Sequence, residues 1–171
     1  DCLLSRGLGD VYKRQVQTIS AYIDALLESY IFYEVKRFDI KGKDYLRTLG
    51  KYYIVDPGLR TYLLGNRGGD VGHILENIVY LELLRRGYEV TVGRTGDKEI
   101  DFVCDKRGEK LYVQVTYLLA SEETVNREFG AYDSIRDNFP KYVVSLDEFD
   151  MSRNGIKHRN IRDFLLAEEW N

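Results

Sequence analysis

The sequence predicts an α/β sandwich of element order α-β-β-β-α-β over residues 70–171, preceded by a partial winged helix at 16–65. Three observations point there. The tract GNRGG at 65–69 breaks the chain and is followed by a long stretch with helical apolar spacing. Three tracts with period-two alternation come next: YEVTVG, EIDFVC and KLYVQVTYLL. A second helical stretch and the strand-like KYVVSL then complete the order.

Taken in order, the first element is a helix. Ile19, Tyr22, Ile23, Leu26, Leu27 and Tyr30 follow the i, i+3, i+4, i+7 spacing of an amphipathic helix, with Thr18 as its expected N-cap. IFYEVKRFDI is β-branched and aromatic and reads as one strand. Lys41-Gly42-Lys43 is a turn, and KYYIV is a second strand ended by Asp56-Pro57-Gly58. A helix followed by a two-stranded ribbon is the back half of a winged helix, and it buries little area alone. Asp70 is placed to cap a helix from Val71 to Arg86, with Gly87 as its stop. Gly96 and Gly108 punctuate the three strands. Ser121 to Asn138 reads as a helix closed by Pro140, and Ile161 to Leu166 as a short terminal helix.

Composition narrows the function classes. Of 171 residues, 44 % are hydrophobic, enough for a core, and the 31 % that are charged nearly balance at a net −3. Nucleic-acid contact would therefore need a local basic patch. Cys2 and Cys104 alone make neither a disulfide framework nor a zinc site, so a reducing, cytoplasmic setting is expected. No apolar run approaches the roughly 20 residues of a membrane span, and no signal peptide is visible. Residue 1 is Asp and the single methionine is Met151, so the chain is expected to be the tail of a longer protein. Residues 1–15, DCLLSRGLGDVYKRQ, show no clean period. They resemble adaptor-derived translation at the ends of gene fragments and are set aside as a non-native leader.

Strand alternation brings chemistry-bearing residues together. In EIDFVC, Ile100, Phe102 and Cys104 share one face while Glu99 and Asp101 share the other. In LYVQVTYLL, Leu111, Val113 and Val115 oppose Gln114 and Thr116. A hairpin of these strands predicts Asp101, Gln114 and Thr116 on one surface. Glu76 shares a helical stripe with Val79 and Leu83, where a carboxylate is costly unless paired, so it is expected to point at the same spot. Two carboxylates and an amide oxygen could hold magnesium weakly for phosphodiester hydrolysis. The missing part is the cation or base, usually a lysine two residues after an acidic ligand.

At these residues the sequence resembles the restriction-endonuclease-like, PD-(D/E)XK class: E-N on a helix, E-I-D-F-V, then Q-V-T. More closely, it resembles the domain of unknown function found C-terminal to a prokaryotic family of AAA-type ATPases. The tracts are KYYIVDPGLRTYLLG, ENIVYLELLRRGYEVTVGR, EIDFVC, YVQVTY, EFGAYDSIRDNFPKYVVSLD and IRDFLL, covering nearly everything from Val16 onward. The resemblance implies a degenerate catalytic site of Glu76, Asp101, Gln114 and Thr116. Asp101 and Glu76 are the implied metal ligands, and Mg2+ is the implied ion. Gln114 stands where the second acidic ligand would be, and Thr116 where the lysine would be. The resemblance also implies a preceding ATPase domain as partner. No phosphate loop occurs in this chain.

Three functions follow: a non-catalytic regulatory or binding arm of an AAA-type ATPase, a weak magnesium-dependent nuclease, or a winged-helix DNA reader. The ribbon is basic at Lys36, Arg37, Lys41 and Lys43, with Arg47 and Lys51, against Asp39 and Asp44. It is the candidate nucleic-acid surface, or else a solvated hairpin or a surface that packs on the implied ATPase module. Arg94 is an expected partner for Glu76. Lys98 and Lys110 are the nearby basic residues that could replace the lost lysine, and alternation disfavours a simple swap. His73 is expected at the surface, His158 solvated in the loop NGIKHRN, and Cys104 buried as a small hydrophobe.

Overall fold

The structure, a computed structural model, describes residues 16–65 and 69–170. The leader tract 1–15 and the centre of the GNRGG break, 66–68, lie outside the described residues. The fold is mixed α/β. Helix α1 covers 16–28, so Thr18 lies inside it and is not its cap. IFYEVKRFDI is not one strand. It divides at Lys36 into β1 (Phe32–Val35) and β2 (Arg37–Asp39). Strand β1 pairs antiparallel with β4 (Lys51–Ile54) as a separate ribbon. Strand β2 runs into the main sheet, followed by the short β3 (Asp44–Tyr45). Helix α2 (Pro57–Leu64) had no counterpart in the sequence reading. Asp56 caps it through Gly58 N–H, and Pro57 opens it, as the Asp-Pro pair allows.

Helix α3 (Val71–Arg85) follows, then β5 (Glu89–Thr95), β6 (Lys98–Lys106), β7 (Glu109–Val115), α4 (Glu122–Gly130), β8 (Lys141–Ser145), β9 (Lys157–Asn160) and α5 (Ile161–Leu166). The main sheet has the order β3-β2-β5-β6-β7-β8-β9. Its strands therefore come from both sides of residues 66–68. β5, β6 and β7 form an antiparallel meander, while β2 lies parallel to β5, and β8 and β9 continue parallel from β7.

Helices cover both faces. Leu75, Val79 and Leu83 of α3 pack with Phe102, Cys104, Val113 and Phe164. Val125 and Phe129 of α4 pack with Ile100, Val103, Tyr112 and Val143 on the other side. Each fully buried side chain of this kind contributes about 1.5–3 kcal/mol. Helix α3 stops at Gly87, whose φ of 80° suits a residue without Cβ. Asp70 caps it by position only. Its carboxylate is drawn to Arg60 at 2.5 Å. Gly93 permits close strand packing, since a Cβ there would come within 2.6 Å of the Val103 side chain.

Helix α4 is shorter than the Ser121–Asn138 expectation. After Gly130 the chain turns so that Tyr132 can bury its ring and donate its hydroxyl to the Tyr142 carbonyl at 2.6 Å. His158 is a further correction. It sits on β9, 1 % exposed, because β9 is an added strand and not a loop. Its Nδ1 accepts from Met151 N–H at 3.2 Å, which leaves Nε2–H to donate to Ser145 Oγ at 2.9 Å. Ser145 in turn donates to Asp147. Cys104 is buried as expected. Among the described residues, no helix is long and apolar enough to cross a membrane.

Candidate functional site

The site forms where α3, β4 and β6 meet, and one pair of residues on α3 accounts for the meeting. Glu76 and Asn77 both dock β4. The Asn77 side chain bonds both backbone groups of Ile54, accepting from its N–H and donating to its carbonyl at 2.9 Å each, as a neighbouring strand would. Glu76 Oε1 accepts from Lys51 Nζ at 2.9 Å and from the Tyr53 hydroxyl at 2.5 Å. Alternation along β4 places Lys51 and Tyr53 on that common face. Tyr53 also stacks on Tyr80 at 4.4 Å between ring centroids.

Strand β6 brings the second carboxylate through a bulge. Thr91 pairs with Val103 and Gly93 with Ile100, so Asp101 and Phe102 together oppose Val92. The bulge overturns simple alternation. Ile100 joins the α4-side core with Val103, whereas Phe102 and Cys104 face α3. Asp101 is thereby turned towards Lys51, with Oδ1 2.9 Å from Nζ. Bulges re-aim side chains in this manner near functional sites. The β6–β7 ladder opens at the same point, and side chains replace its bonds. Asp101 Oδ2 accepts from Val115 N–H at 2.9 Å, and Gln114 Oε1 accepts from Asp101 N–H at 3.1 Å.

The structure thus joins Glu76 and Asp101 but not all four expected residues. Gln114 leaves the sheet on the α4 side, where its amide donates to the buried Glu128, itself paired with Arg127. It reaches Asp101 only through the backbone. Thr116 is buried on β7's continuation, its N–H donating to Val144. Arg94 is not the partner of Glu76, since its Nε donates to the Gly96 carbonyl. Lys98 instead reaches Gly130 and Asp133. Arg37 is held by Glu99, and Lys36, Lys41 and Lys43 are exposed.

The positive group is Lys51, which the sequence reading placed only in the basic ribbon. Its ammonium touches Glu76, Asp101 and, at 3.1 Å, Glu99. A usable signal existed: Lys51 shares a strand face with Tyr53 in KYYIV. Burial works against the Lys51 charge, but Asp101 and Glu76 outweigh it and hold the ammonium above its ordinary pKa. Burial first, and the Glu76 charge second, push Asp101 up to about 6 against the pull of Lys51. Burial and Glu76 likewise raise Tyr53, keeping its phenol protonated.

These residues do not fit magnesium. A fixed ammonium stands at the centre of the carboxylates, and Gln114 is committed elsewhere. Among the described residues, no group of three or more His, Cys, Asp or Glu is placed to hold a metal ion. What the arrangement does is join a helix, a ribbon and a sheet through one partly buried cation. Beside it lies a cavity of about 550 Å3, lined by Lys51, Arg60, His73 and Glu76 together with apolar residues of β1 and α2.

Comparison with known proteins adds relatives without assigned roles. Residues 4–70 match a family described as Domain of unknown function (DUF8612), a span that takes in most of the tract 1–15 and ends just before α3. An uncharacterized protein of Haemophilus influenzae is 42 % identical over 150 residues, 87 % of this chain and 37 % of that protein. Uncharacterized protein MJ1544 of Methanocaldococcus jannaschii is 30 % identical over 151 residues, 86 % of this chain and 33 % of that protein. The chain therefore spans about a third of the length of these relatives. No solved structure matches.

Proposed function

We propose that this chain is a non-catalytic binding arm of a longer AAA-type ATPase, built on a restriction-endonuclease-like frame whose acidic site is closed by its own lysine. The observation that carries this reading is Lys51 Nζ lying 2.9 Å from both Glu76 and Asp101, where a catalytic cation would be needed. The succession α3, β5, β6, β7, α4, β8 supports the nuclease-like frame. The quoted sequence tracts, and relatives of which the chain spans only a third, support the longer context. A protein partner is favoured over DNA. Arg37 is spent on Glu99, and the exposed Lys36, Lys41 and Lys43 are interrupted by Asp39 and Asp44.

The test is incubation of the purified chain with supercoiled plasmid and Mg2+ or Mn2+. The expected result is no nicking above that of Asp101→Ala. Metal-dependent nicking that Asp101→Ala abolishes would overturn the reading in favour of a nuclease.

A further inference from the structure

The connection from β8 to β9 is tied down at its start and in its middle by different means. At the start, Leu146 N–H donates to the Tyr117 carbonyl, and the Asn160 side chain donates to the carbonyls of Leu146 and Asp147. The middle is held by His158. Nδ1 of its buried ring accepts from Met151 N–H, and Nε2–H donates to Ser145 Oγ. A neutral imidazole has one donor and one acceptor, and here both are used. The His158 backbone N–H adds a second hold, donating to Ser152 Oγ at 2.8 Å.

A second proton can enter this ring only at Nδ1. It sets one N–H against another, so the contact with Met151 turns from attractive to repulsive. Ring rotation gives no escape, because the fully buried Ser145 holds Nε2 and is itself committed to Asp147. The Phe149 carbonyl lies close enough to favour the charged ring, which gives the new proton an acceptor. Protonation thus exchanges one loop partner for another.

The charges facing the ring come from few places. Asp147 and Asp150 on the connection attract its proton, and Arg159 beside it on β9 repels it. Strand β8 contributes the uncharged Ser145, and the segment after β7 contributes Leu119 N–H, which donates to Asp147. Two other basic groups turn to aromatic rings, Lys157 to Tyr142 and Arg153 to Phe129. Burial outweighs the two carboxylates, so the closed loop keeps the ring neutral near neutral pH.

Beyond Met151 the loop turns at Asn154-Gly155, with Arg153 and Ile156 bridged across the turn. This turn walls a cavity of about 730 Å3 opposite Phe129 and Gly130 at the end of α4. Ile156 is packed in the core, whereas residues 152–155 are exposed. We infer that His158 is an acid-operated latch: its neutral ring pins Met151, and a second proton releases residues 148–153 and with them the Arg153 side of the cavity wall. Histidine serves such switches because its charge changes near physiological pH.

The test is an NMR titration of the 171-residue chain, following the His158 ring and the amides of Met151 and Arg153. The two amides should move with the midpoint of the ring. Their opening for hydrogen exchange, corrected for the intrinsic rate, should rise by up to about tenfold per pH unit between about 6.5 and that midpoint, because the open loop restores the ring's ordinary pKa. Asp150→Asn is an exposed change that removes one attracting charge and keeps an oxygen for Ser152 N–H. In it the ring and loop midpoints should fall together by the same amount. His158→Gln should leave the loop amides flat while Asp101 still titrates. Should His158→Gln fail to fold, the Asp150→Asn comparison decides. A ring that takes up its proton while Met151 and Arg153 stay in place overturns the inference. So does a ring that remains neutral until the whole chain unfolds, or a loop midpoint that differs from the ring's or survives His158→Gln.

Discussion

Replacing Lys51 by Met removes the ammonium but keeps most of the stem's volume. An ammonium 2.9 Å from a carboxylate oxygen gains about 6 kcal/mol at an effective dielectric of roughly 20. Lys51 has two such contacts. Mutual repulsion of Glu76 and Asp101 and the desolvation of all three groups offset much of this, so a net loss of about 3–5 kcal/mol near neutral pH is expected. Against a typical domain stability of about 5–15 kcal/mol, such a variant folds but melts early. The pH dependence carries the sharper signature. Asp101 is raised from 3.8 to about 6 in the folded state. The native form therefore binds its proton first, and this contribution to stability is present at low pH and lost as pH rises through the folded value. In Lys51→Met only the Val115 N–H still opposes that rise, so as pH falls stability should recover by up to about 1.4 kcal/mol per pH unit while the extra proton is taken up. Urea denaturation of the wild type and the variant at about pH 7 and about pH 5 measures both effects. A cost below about 1 kcal/mol, or one equal at the two pH values, would refute the argument that a buried cation holds two carboxylates together.

Other consequences are simpler. Asn77→Ala leaves the N–H and carbonyl of Ile54 without their partner, and urea unfolding should report a loss of about 1–3 kcal/mol. His158 is held below its ordinary pKa chiefly by burial. Its contribution is thus complete above the unfolded value of about 6.5 and declines as pH falls, and His158→Gln should flatten that acid limb of the urea midpoint. If the ribbon touches DNA after all, neutralising Lys41 and Lys43 should reduce the log-log salt slope of binding by about 2, whereas a protein-binding arm shows no salt-steep DNA affinity to reduce.

The helix over Val71–Arg85, the meander and the terminal helix were legible because their apolar spacing is regular and glycines mark their ends. Glu76 and Asp101 were legible for a different reason: each is a carboxylate in an otherwise apolar stretch, where burial demands a partner. The partner was not legible. Lys51 comes from a ribbon 25 residues before Glu76 and 50 before Asp101, and local alternation says nothing about which distant strand will dock there. The bulge at Asp101–Phe102 was also hidden, because a single strand reads as strict alternation until its neighbours fix the register. That bulge sends Asp101 to the α3 side, while ordinary alternation along β7 sends Gln114 to the α4 side, and this separated residues expected to share a surface. The burial of His158 is hidden for a similar reason. Its tract NGIKHRN is polar throughout, and only pairing with β8 buries it.

The central claim is that the Lys51 ammonium sits on Asp101 and Glu76. The most direct test is the NMR titration of the Asp101 side-chain carboxyl carbon in the wild type and in Lys51→Met. A midpoint raised towards about 6 in the wild type, and higher still without the ammonium, is the predicted result. An ordinary carboxylate midpoint that is unmoved by the substitution would contradict it.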